Sequence, residues 1–165
     1  MQSKEKNLVS ISADHFKLCD YFFTNQTVKA NPHYVNEEDD CSKSTLELKV
    51  ELEIDPENSN IFLAQATVMS EKDIILKDRP DCSYEFYLAA FGRFEFVGIE
   101  EELNLRGKSL EYHAGLTCVQ ILIGAIRERL ADLTSRGPWD KISIQTVGIN
   151  RLHSQVEKAL SSTEG

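Results

Sequence analysis

Three groups of residues carry side-chain types from which chemistry is built. The first is Glu111, His113 and Cys118, an acid, an imidazole and a thiol in one short stretch. A thiol nucleophile needs a base within hydrogen-bond reach and a third group to orient that base. Helical neighbours lie three or four residues apart, and positions 113 and 118 are five apart, so the pair does not face. The second group is Glu37, Glu38, Asp39 and Asp40, which could hold a cation. No ligand loop of EF-hand spacing surrounds them, and they read as a solvated charge run. The third is the set Cys19, Cys41, Cys82 and Cys118, with no close pair and no His at metal-ligand spacing. These read as free thiols that pack as small apolar residues. A Walker A loop and a dinucleotide glycine pattern are both missing from the sequence. No enzyme, metal site or cofactor is therefore expected.

The elements that would position these residues follow from periodicity. Cys118, Ile121, Leu122, Ala125, Ile126, Leu130 and Leu133 recur at three and four residues, which predicts a helix from about Leu110 to Arg136 with one apolar face. Ser109 suits its N-cap, Glu111 its first turn, and Gly137 a left-handed C′ position. Gly124, inside this helix, implies close packing or a mild kink. Leu46, Leu48, Val50, Leu52 and Ile54 alternate with charged residues, the clearest strand of the chain, running from Thr45 to Ile54. The turn sequence DPENSN joins it to a strand from Ile61 to Ser70. Ser83 to Ile99 places Tyr84, Phe86, Leu88, Phe94 and Phe96 on one parity, with a bend or bulge expected at Gly92. A first strand spans roughly His15 to Thr27, with both faces apolar. Asn31 to Ser44 reads as a polar, acidic loop. After Pro138, Trp139 and Asp140, a short extended segment is expected at Lys141 to Val147, then a helix from about Asn150 to Leu160. Strands followed by helices give an α+β fold, a four-stranded antiparallel sheet with a long and a shorter helix on one face.

At 165 residues, 41% apolar and 27% charged, the composition is that of one soluble domain, residues 1–165, with disordered ends at about 1–7 and 161–165. No apolar run approaches a membrane span, and the N-terminus lacks the apolar h-region of a secretory signal, so a cytoplasmic location is expected. The net charge of −9 argues against nucleic acid as a partner.

The helical half resembles the SecB family of protein-export chaperones. Cys118 to Glu128, CVQILIGAIRE, is similar to the family pattern Cys-Pro-Asn-Ile-Leu-Phe-Pro-Tyr-Ala-Arg-Glu at Cys118, Ile121, Leu122, Arg127 and Glu128. Ser135, Arg136 and Gly137 match the family's Ser-Arg-Gly helix end. Trp139 stands where the family has Phe, and Ile142 to Ile149 occupy its Leu-x-Leu-Ala-Pro-Val/Ile-Asn-Phe stretch. Gly92 and Phe94 resemble the Gly-Ile-Phe that closes the family's fourth strand. Phe-Pro-Tyr is replaced here by Ile123, Gly124 and Ala125.

The resemblance implies an ATP-independent holdase that binds unfolded client polypeptides in apolar and aromatic grooves, in protein export or in a toxin-antitoxin system. It implies Tyr84, Phe86, Phe94 and Phe96 as a polypeptide-binding sheet wall, with Trp139 in the loop beyond the long helix. It also implies a homotetramer in which Cys118, Ile121, Leu122, Ala125 and Ile126 meet a neighbour, and either the translocation ATPase SecA or an antitoxin as partner. Leu88 falls where the family carries an acidic residue for docking that ATPase on the outer sheet. The readings from other classes are a hot-dog-like thioesterase, whose helix precedes most of its strands, and a carrier of a small apolar ligand.

Overall fold

The computed structural model describes residues 16–35, 46–70, 75–96, 110–144 and 149–162. Ser109, the acids at 37–40, Cys41, residues 145–148 and the expected disordered N-terminal end lie outside them. Among the described residues the elements run β1 (Phe16–Ala30), β2 (Leu46–Ile54), β3 (Ile61–Ser70), β4 (Tyr84–Phe96), α1 (Leu110–Ser135) and α2 (Ile149–Ser161), with a 3₁₀ turn at Leu76–Asp78. The sheet is antiparallel in the order β1-β4-β3-β2, and both helices follow all four strands. The fold is α+β, as the sequence pattern predicts, and the late helix differs from the hot-dog order.

The β2–β3 hairpin forms where turn chemistry permits. Asp55 Oδ1 accepts the N–H groups of Glu57 (2.9 Å) and Asn58 (3.3 Å), and Asn58 Oδ1 accepts that of Asn60 (3.1 Å). These side chains replace backbone partners across the turn.

One face of the sheet carries a trough of small residues. Ala64 and Ala66 of β3 lie opposite Gly92 and Ala90 of β4, and all four are buried. Large residues of α1 can approach the backbone there, and Val119, Leu122, Ile126 and Leu130 are fully buried in the same cluster as Leu88 and Phe94. Gly92 is required by this approach, because a Cβ there would overlap the Phe94 ring and crowd Leu122. The bulge expected at Gly92 is instead in β1, where Cys19 and Thr24 are extra residues while β4 keeps its register. α2 packs on β2 and α1, and α1 lies mainly on β3 and β4, scarcely touching β1.

Lys141–Ile144 joins no strand, in keeping with the four-stranded reading, while three further expectations change. Thr134 Oγ1 takes the N–H of Ile142 (2.9 Å), and Arg127 Nε donates to the carbonyl of Ile144 (3.0 Å), which fixes an irregular chain against α1. Gly137 does not adopt a left-handed φ. Its missing Cβ leaves room for the Tyr84 hydroxyl, which a side chain would overlap. β1 continues three residues past Thr27, and α2 runs to Ser161, with Ser162 still bonded to the Lys158 carbonyl.

Candidate polypeptide-binding site

The aromatics expected to form a binding wall are core. Tyr84, Phe86, Phe94 and Phe96 are each 4% exposed or less, because their parity of central strand β4 faces the helices. Alternation places residues on a common face but does not say which face is covered. Leu88 shares that side and is buried, so it is not a residue of the outer sheet surface. The helix residues divide in the same way. Cys118, Leu122 and Ile126 are wholly buried against their own sheet and have no surface left for a neighbour, whereas Ile121 and Ala125 are half-buried on the helix flank. Burial also pushes the Cys118 thiol far above its ordinary value. Iodoacetamide at pH 8 should therefore label half-exposed Cys19 and leave Cys118 and Cys82 unmodified until the protein unfolds. Mass spectrometry of the labelled peptides reads this directly. Rapid native labelling of Cys118 would remove it from the core.

Trp139 is half-buried and tied in place. Its Nε1–H donates to the carbonyl of Asn31 (2.9 Å), and its ring meets Tyr34 edge-on at 5.3 Å. Its backbone N–H and carbonyl both bond the Tyr84 hydroxyl at 3.1 Å, and the Thr134 carbonyl lies 3.3 Å from that oxygen. Asn31, fully buried, is the centre of this knot. Its Nδ2 donates to the carbonyls of Leu76 (3.0 Å), Arg79 (2.9 Å) and Cys82 (2.8 Å), and its Oδ1 accepts the N–H of His33 (2.9 Å). The end of β1, the β3–β4 connection and the loop after α1 are thus joined at one residue, the first two through its side-chain amide and the third through its main-chain carbonyl. Nearby, the Arg79 guanidinium holds the Asp81 carboxyl below its ordinary value by hydrogen bonding.

Of the six large apolar side chains that are exposed among the described residues, three cluster on β1, while Val35, Ile75 and Tyr87 lie elsewhere. Tyr21 is 50% and Phe22 54% exposed, with Leu18 beside them. Phe22 lies over Phe91 on the outer side of the sheet (ring centroids 5.3 Å apart), while Tyr21 and Phe23 contact each other on the helix side (6.4 Å). Both faces stay open because β1 is an edge strand that α1 scarcely covers. An edge strand also presents backbone N–H and C=O groups available to a further strand. Sequence reading found the two apolar faces of β1. It could not tell that the strand lies at the edge, which is what exposes them.

Between the C-terminal half of β1 and the end of α1 lies a cleft of about 500 Å³. Val28, Ala30 and Leu133 give it apolar walls, and Arg129 and Arg136 line it as well. Among the described residues no group of His, Cys, Asp and Glu is placed to hold a metal, and no helix is long and apolar enough to cross a membrane.

No family model and no curated protein matches this chain. Among solved structures, a SecB-like chaperone of Mycobacterium tuberculosis, in complex with a ChAD peptide from the HigA1 antitoxin, is similar with a TM-score of 0.52 and 17% identity. The match covers 82% of this chain and 92% of that one, and it places the fold among SecB-like structures. A protein of unknown function from Streptococcus agalactiae is similar at a TM-score of 0.40 and 14% identity, over 79% of this chain and 96% of that one.

Proposed function

We propose that this protein is an ATP-independent holdase that keeps unfolded polypeptide segments extended along β1. The observation that carries the reading is the edge strand itself, with Leu18, Tyr21 and Phe22 exposed beside a row of available backbone groups. Backbone pairing at an edge ignores sequence, and aromatic contacts on both sides add affinity without demanding one side chain. The SecB-like fold supports it, since the Mycobacterium neighbour was solved with a peptide bound. That peptide comes from an antitoxin, which favours an antitoxin segment over an exported precursor as the client. The test is light scattering from a chemically unfolded client diluted into buffer without nucleotide. The holdase reading predicts that equimolar protein suppresses aggregation; no suppression at several-fold excess contradicts it.

The homotetramer is part of the same proposal, with subunits meeting on the flank of α1 at Ile121, Ala125 and Gly124. A Cβ added at Gly124 would meet nothing within 4 Å beyond its chain neighbours and the surrounding backbone of its own helix. Gly124→Leu should therefore leave the fold intact and shift native mass spectra from tetramer to smaller species. An unchanged tetramer would place the contact elsewhere.

A further inference from the structure

We propose that the cleft between β1 and the end of α1 is an acidic-residue subsite, taking a carboxylate of the polypeptide held along β1. The proposal rests on the holdase reading and adds a chemical preference to it. Arg129 of α1 and Arg136, the residue just past its end, share one counter-ion: Asp132 Oδ2 accepts from Arg129 Nη1 (3.1 Å) and Oδ1 from Arg136 Nη2 (3.2 Å). Two positive charges against one leave the cleft wall cationic, on a chain whose net charge is −9.

Arg129 is also braced from the strand. Its Nε donates to Gln26 Oε1 of β1 at 2.6 Å, which fixes the guanidinium plane against β1. Among the described residues, Arg129 Nη2 and the Nε and Nη1 of Arg136 have no protein acceptor. A planar guanidinium with paired N–H groups to spare suits a carboxylate.

Helix C-termini repel anions through their free carbonyls, but at the end of α1 the Thr134 carbonyl is occupied. Thr134 O accepts the Gly137 N–H (3.0 Å) and lies 3.3 Å from the Tyr84 hydroxyl. The apolar walls at Val28, Ala30 and Leu133 exclude water on the other side and favour an aliphatic stem. The ligand is therefore a carboxylate on an apolar stem within an extended segment, either a glutamate side chain or the C-terminal residue of a chain.

The probes are fluorescein-labelled extended peptides with the same aromatic and β-branched flanks. One has a central Glu and an amidated end, one a central Gln and an amidated end, and one a central Gln and a free C-terminal carboxylate. Fluorescence anisotropy should show at least one carboxylate peptide binding about tenfold more tightly than the amidated Gln peptide at low salt, with the difference shrinking as salt rises. Whichever carboxylate peptide gains affinity identifies the source. Arg129→Gln with Arg136→Gln should erase the difference while the Gln peptide binds as before. Asp132→Asn, which releases both guanidiniums, should enlarge it. Equal binding of all three peptides, or a preference that survives the double substitution, overturns the subsite alone. If none of the three binds, the subsite and the holdase reading fall together.

Discussion

Asn31→Ala should lower the melting temperature by about 10 °C, the largest stability loss expected from a single polar substitution in this chain. The amide of Asn31 supplies the donors for three main-chain carbonyls from 45 to 51 residues away, and its oxygen takes a fourth group, the N–H of His33. Truncation removes all of these bonds at a fully buried position. A buried polar group left without its partner costs about 1 to 3 kcal/mol. With some of the four reached by water, a loss of about 3 to 4 kcal/mol follows, and a protein of this size loses about 2 to 4 °C for each kcal/mol. Asn31→Asp tests the cause. It keeps the acceptor for His33 but turns an oxygen toward the carbonyls, so it should destabilise at least as much as alanine. Thermal melts followed by circular dichroism measure both. A shift under about 3 °C for either variant would show that the knot does not hold the end of β1.

Tyr21→Ser combined with Phe22→Ser should weaken client binding about a hundredfold in a protein that is destabilised, through the half of each side chain that packs on β1 and β4, but still folded at the assay temperature. Each side chain is at least half exposed, so its remaining surface is free to be covered by a client. Aromatic side chains bury about 150 to 250 Å² when fully covered. Half of that, at about 25 cal/mol per Å², gives about 2 kcal/mol for each, and some is lost to ordering the client. A net loss near 3 kcal/mol corresponds to about two orders of magnitude in Kd. Phe94→Ala is the opposite control. Phe94 is wholly buried, and its truncation should cost about 3 to 5 kcal/mol of stability through the cavity it leaves. If Phe94→Ala abolished binding in a protein of unchanged stability, the wall expected from the sequence would be restored as the site.

What the sequence disclosed, and what it did not, has a common physical basis. β2 and β3 were legible because strict alternation and the Asp55 turn are local signals. The bounds of α1 were legible for the same reason, through the apolar repeat up to Leu133. The open face of the sheet was not. The parity of Tyr84, Phe86, Phe94 and Phe96 was read correctly, but whether a face is open depends on where α1 lies, and a helix laid along β3 and β4 covers theirs and spares β1. Arg129 carried no signal in the sequence, and Arg136 stood out only as part of the Ser-Arg-Gly helix end. Only the strand order brings Gln26 against Arg129, across more than 100 residues of sequence. Asn31 gave no signal, because a turn asparagine and one that ties three segments together are the same residue in the sequence. Gly137 was identified as necessary for the wrong reason. Its place at a helix end suggested a left-handed residue, and the requirement is the Tyr84 hydroxyl pressed against it.

The most direct test of the proposal that clients are held along the edge strand is amide hydrogen exchange, with and without a permanently unfolded client and without nucleotide. Backbone pairing at the β1 edge predicts slower exchange within Phe16–Ala30 when the client is bound, with α2 unchanged. A bound client that leaves exchange across β1 unaltered would contradict the account.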